Sequence, residues 1–116
     1  MRRLLFGLLI IATLALVPAS AQGKRKFTGV ITDSMCSSAD HKGMRMGPTD
    51  AECTVACVLA HGALYVLYDG KEVYTLSDQK TPEKFAGKKV AVTGTLDAKT
   101  KTIHMDNGAD SIVAAK

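Results

Sequence analysis

All three cysteines of the chain and two of its three histidines fall in one stretch, Asp33 to Gly62. Three thiolates and an imidazole make a closed tetrahedral donor set of the kind that holds structural zinc. Cys36 and His41 come first, then Cys53 and Cys57 four residues apart. On a helix that spacing places two sulfurs one turn apart on one side, where both can reach one ion. The candidate metal ligands are therefore Cys36, His41, Cys53 and Cys57, with His61 as a possible substitute for His41. Met44 and Met46 are soft donors in the same stretch and would turn the preference from zinc towards Cu(I) if they took part. Asp33 could add a carboxylate, although an aspartate directly after a strand is more often a turn or cap residue.

Two other chemistries compete for the same cysteines. One is a disulfide from Cys36 to Cys53 or Cys57, because neighbouring cysteines on one helix seldom meet bridge geometry. Closing a loop of that length gives roughly 3 kcal/mol in the chain-entropy model, which matters for a small core. It leaves the third thiol over, an odd count for an oxidising compartment. The other is thiol redox catalysis, which needs a sulfur of lowered pKa beside a resolving partner. The chain has no C-x-x-C, no thioredoxin-like βαβ pattern and no C-x-x-C-H for covalent haem. The reading is accordingly a binding module rather than an enzyme.

The elements that must position these side chains are legible nearby. Thr49-Asp50-Ala51-Glu52 is a capping box, with Thr49 at the N-cap and Glu52 at N3. Asp50 to Ala60 contains no glycine or proline, and Gly62 suits a left-handed C-terminal position. A helix is expected there, with Val55, Ala56, Leu59 and Ala60 as its apolar face and the Cys53–Cys57–His61 ridge along the edge. Residues 33–48 read as a loop.

The remaining chain is short strands and turns. Phe27 to Thr32 is a first strand with an interior glycine, Gly29, which suits a bulge or tight bend. Asp69-Gly70 between Leu64–Tyr68 and Glu72–Leu76 signals a hairpin. Thr81 to Gly87 carries the punctuation of a one- or two-turn helix, with Thr81 as N-cap and Pro82 at N1. Lys89 to Leu96 is a strand with a second interior glycine, Gly94. Thr102 to Met105 is another, which Ser111 to Val113 could continue. Five short strands with a small helix between the third and fourth match a mainly β, OB-like Greek-key barrel. The Cys-bearing loop and helix would be an insert between strands 1 and 2. The rival is an open α+β sheet with the Cys helix packed on one face.

Residues 1–21 read as a secretory signal peptide: Arg2-Arg3, an apolar run from Leu4 to Val17, Pro18, then Ala19-Ser20-Ala21. The run is shorter than the ~20 residues that span a bilayer, so no membrane span is expected after its removal. Residues 22–116 are then one small exported OB-like domain, periplasmic or secreted. Loss of Arg2 and Arg3 halves the formal net charge of +4. Lys24-Arg25-Lys26 alone exceeds what is left, so the body is near neutral and a nucleic-acid partner is not indicated. Tyr65, Tyr68 and Tyr74 on the hairpin are packing residues in this reading, and His104, between Ile103 and Met105, faces solvent.

These residues together resemble a group of small exported bacterial domains of unknown function. The shared pattern is a first strand ending Gly-x-Ile-x-Asp-x-x-Cys, here Gly29, Ile31, Asp33 and Cys36. A histidine follows, His41, then Cys-x3-Cys, Cys53 and Cys57, before a Tyr-rich hairpin. A late strand carries Val90, Val92, Gly94 and Leu96. The resemblance implies an exported barrel-like domain and no activity. The sequence reading is thus an exported binding module whose Cys/His site takes a transition metal, zinc or copper. A disulfide-stabilised interaction domain is the alternative and a thiol redox protein the third. The partner is a metal ion or an unidentified protein or small-molecule ligand.

Overall fold

The computed structural model of the protein describes residues 23–116, and the leader expected at residues 1–21 lies outside them. Six strands and one α-helix follow in chain order: β1 (Arg25–Asp33), α1 (Asp50–His61), β2 (Tyr65–Tyr68), β3 (Val73–Leu76), β4 (Lys89–Asp97), β5 (Thr102–His104) and β6 (Ile112–Ala114). Two 3-10 turns, Thr81–Phe85 and Gly108–Ser111, lie before β4 and β6. Among the described residues no helix is long and apolar enough to cross a membrane.

β1 pairs antiparallel with β2, β2 with β3, β3 parallel with β5, β5 with β4, and β4 back with β1. The ring is closed, which removes the exposed edges an open sheet would carry. This is the expected small OB-like barrel, with the Cys-bearing loop and helix inserted between strands 1 and 2; the open α+β sheet is excluded. β1 changes partner at Val30, from β4 to β2, and β4 changes partner after Gly94, from β1 to β5. Gly29 and Gly94 sit at these two bends. A Cβ on Gly29 would lie 2.3 Å from the Tyr68 carbonyl oxygen, and one on Gly94 2.4 Å from that of His104. Only glycine lets the backbones approach so closely.

Alternation along the strands fills the barrel. Ile31, Leu67, Leu76, Val90, Val92 and Ile103 are buried in one core, where the Phe27 and Tyr74 rings meet tilted at 59° with centroids 5.3 Å apart. Tyr65 and Tyr74 belong to that core, as the packing reading expected, and His104 is exposed. The hairpin turns through Asp69, whose Oδ1 accepts from the amides of Lys71 and Glu72.

β6 continues β5 along one edge of β4, as expected: both run antiparallel to β4, β5 against Thr95–Asp97 and β6 against Val90–Val92. Between them Gly108 has φ +51° and Ser111 Oγ accepts from the Asn107 amide. Two local expectations are corrected. Thr81 is the first residue of its 3-10 turn rather than its cap. Asp78 does the capping, accepting from the amides of Lys80 and Thr81. The second correction concerns α1. Its ends are as expected: Thr49 Oγ1 accepts from the Glu52 amide at 3.2 Å, and Gly62 is left-handed at φ +67°. Its buried residues, however, are Cys53, Thr54 and Cys57, while Leu59 is 74% exposed. The cysteines are the centre of the buried side, not its edge. Ala51, Val55 and Val58 reach the barrel core, and the loop after β1 covers the cysteines from the other direction.

Candidate metal centre

Asp33 ends β1 with the same inward parity as Phe27 and Ile31, and faces Tyr65 across the β1–β2 ladder. Its two carboxylate oxygens have separate fates. Oδ1 accepts from the amides of Met35 at 3.0 Å and Cys36 at 2.9 Å, the turn role expected of it. Oδ2 is buried with no hydrogen-bond partner.

The turn that Oδ1 holds fixes Cys36. Thr32 Oγ1 donates to the Cys36 carbonyl at 2.8 Å, and Ala39 donates to the same carbonyl at 2.9 Å. Ala39 then takes the left-handed conformation, φ +59°, which is unfavourable for a residue with a Cβ. Two residues later the chain delivers a buried His41, whose Nδ1 lies 4.0 Å from Asp33 Oδ2. That separation is too long for a hydrogen bond. His41 Nδ1, like Asp33 Oδ2, has no partner. Donor atoms of Asp33, Cys36 and His41 all lie within 4.8 Å of one another, and all three residues are buried. This group could hold a metal ion. Bonds of about 2.0–2.3 Å to a tetrahedral ion set donor separations of roughly 3.3–3.8 Å, so a closure of about 1 Å would seat one.

The helix supplies the remaining thiols. Cys53 Sγ donates to the Met44 carbonyl and accepts from the Met46 amide, each at 3.3 Å. It fastens the loop to α1. Cys57, one turn on, is fully buried. Burial pushes its thiol up to about 11, and the carboxylate of Asp33 and the thiols of Cys53 and Cys36 push the same way. Burial also raises Cys36, again with Asp33 as the next cause. Raised thiols are the reverse of what a redox nucleophile requires. A bound cation inverts that balance and favours thiolate.

Of the expected ligands, Cys36 and His41 come together directly, with Asp33 as the third member. Cys53 and Cys57 lie buried behind them as a second small cluster with Ala63. His61 is exposed at the end of α1 and does not join the group. All three thiols are free, so no disulfide pins the loop to the helix; the Cys53 hydrogen bonds do that instead. The turn role of Asp33 accounts for one oxygen only, and its inward parity on β1 is the sequence signal for the other. Comparison with family models, with curated proteins and with solved structures finds no match to this chain.

Proposed function

We propose that the protein is a small exported binding module whose buried Cys/His centre holds a transition metal ion, zinc or copper. One observation carries this reading: Asp33 Oδ2 and His41 Nδ1 face each other at 4.0 Å, buried and unpartnered, beside the Cys36 thiol. An unmade hydrogen bond of this kind costs about 1–3 kcal/mol per buried group. A cation between them satisfies both and gives Cys36 a reason to ionise. Asp33, Cys36 and His41 are the inner donors, and α1 offers Cys57 and Cys53 to complete the shell. Cys57 is the favoured fourth donor, because the Cys53 sulfur is already engaged with the loop backbone. Four protein donors would leave no open position, the arrangement of a structural or storage site rather than a catalytic one. Export is supported by the leader pattern of residues 1–21 and is part of the proposal.

The test is metal analysis and intact mass on protein purified from the periplasm, with and without thiol alkylation. The expected result is one zinc or copper per chain and three alkylatable thiols once the metal is chelated. A metal-free protein lighter by two hydrogens, with a single alkylatable thiol, would instead establish the disulfide-stabilised domain.

A further inference from the structure

Three methionines lie on the loop between β1 and α1, and all three are exposed: Met35 at 45%, Met44 at 41% and Met46 at 39%. The other methionine of the described residues, Met105, is buried in the barrel core. Single exposed apolar side chains are ordinary, but three methionines on one loop place three soft thioethers at the surface together. These three share a second property. Each is tied by its backbone to a residue of the metal centre or of its clamp. The Met35 amide donates to Asp33 Oδ1. The Met44 amide donates to the His41 carbonyl, and the Met44 carbonyl accepts from Cys53 Sγ. The Met46 amide donates to the same sulfur. The loop thus has an inner layer of carboxylate, thiol and imidazole and an outer layer of thioethers on the same few residues. Arg45, the cation between two of them, is drawn away to Asp50 and the carbonyls of Gly47 and Pro48.

Thioethers are uncharged, soft and not oxidised to disulfides. They bind Cu(I) or Ag(I) and discriminate against zinc and other harder divalent ions. We propose that Met35, Met44 and Met46 form an outer capture site for a monovalent soft cation, Cu(I), which feeds the buried centre. The site deepens the metal-centre reading and rests on it for its purpose, yet the two can fail separately. Capture needs only the exposed sulfurs, whereas the inner centre needs the loop to admit the ion past Cys53.

The experiment follows the methionine ε-methyl signals of the full-length mature protein by proton–carbon NMR, first with one equivalent of zinc added, then during titration with Ag(I), a redox-stable stand-in for Cu(I). The expected result is that the signals of Met35, Met44 and Met46 shift together while that of Met105 stays in place. A variant with all three replaced, Met35→Leu, Met44→Leu and Met46→Leu, keeps side-chain volume and is expected to fold, as its unshifted Met105 signal will report. In that variant affinity for Cu(I), read by competition with a chromophoric chelator on the zinc-treated protein, falls at least about tenfold. Unmoved loop methyls overturn the capture site whether or not zinc has bound, and with zinc in the inner centre an unchanged Cu(I) affinity in the triple variant overturns it too. Absence of zinc uptake in the same sample counts against the inner centre alone, since the methyl shifts are read independently of it.

Discussion

The barrel wall and the loop–helix insert are built to different standards of polar satisfaction. Around the wall the ladders close on themselves and the interior is apolar. At the insert end the interior is polar and unfinished. Buried side-chain atoms without a partner among the described residues are Asp33 Oδ2, His41 Nδ1, Thr54 Oγ1 and the Tyr65 hydroxyl. Asp33 and Tyr65 are opposite one another where β1 meets β2, His41 is on the loop that follows and Thr54 is on α1 beside Cys53. Asp33, His41 and Thr54 belong to the insert end, and Tyr65 stands where that end meets the wall core. Folded proteins pair nearly all such groups. Their concentration there, over a wall that pairs its own, is what the proposed metal centre would account for.

The difference can be broken by treating the two regions alike. Leu67→Ala empties a fully buried position in the wall and is expected to cost about 2–5 kcal/mol by urea denaturation, with zinc and with chelator equally. His41→Ala should behave in the opposite manner. With chelator it loses the packing of a buried ring, partly offset by removal of an unpartnered nitrogen, so its cost is smaller than that of Leu67→Ala. With zinc at a hundred times its dissociation constant, the wild type gains about 2.7 kcal/mol and the variant gains nothing. A zinc-dependent Leu67→Ala effect, or a zinc-dependent gain that survives His41→Ala, would erase the contrast.

Asp33→Asn sharpens it further. The asparagine oxygen still accepts from the Met35 and Cys36 amides, and its NH2, placed 4.0 Å from His41 Nδ1, donates to it once the loop closes by about 1 Å. The metal-free variant is expected to be more stable than wild type by about 1 kcal/mol, as an orphan pair becomes a bonded one. It should also lose zinc. Stabilisation on losing a ligand separates a functional carboxylate from one that holds the fold together, and a destabilised Asp33→Asn would assign it to the fold.

Most of the wall was legible from residue patterns, because a barrel of short strands is governed by alternation and by glycine where backbones touch. Gly29 and Gly94, marked in the sequence as interior glycines, fall at the two partner switches. The Asp69-Gly70 hairpin and both ends of α1 follow from turn and cap chemistry, which is local. The buried side of α1 was not legible. Periodicity favoured Val55, Ala56, Leu59 and Ala60, but what lies against a helix on a barrel end is decided by the loop that returns over it. Here that loop seeks the Cys53 sulfur with its backbone, an attraction no hydropathy scale weighs. The centre was legible as residue types, Cys36 and His41 above all. Asp33 was visible only in part, since the division of its two oxygens between turn and site is a matter of geometry.

The smallest expected effect returns to the wall side. The Asp78 carboxyl is pushed up by partial burial, but hydrogen bonds from the Thr81 hydroxyl and the amides of Lys80 and Thr81 outweigh this and hold it below the ordinary value of 3.8. A carboxyl lowered in the folded state binds fewer protons there than in the unfolded chain. Its stabilisation is therefore complete above the unfolded pKa and is lost as pH falls through the lower, folded one. Asp78→Asn keeps an acceptor but cannot titrate, so its stability should fall less steeply than that of wild type below about pH 4. The difference should be the same with Leu67 intact and with His41→Ala in the background, because the Asp78 turn caps the wall and touches no part of the centre. Thermal unfolding from pH 3 to pH 6 with chelator present measures it; a pH limb that moves with His41→Ala would show that the turn and the insert titrate as one unit.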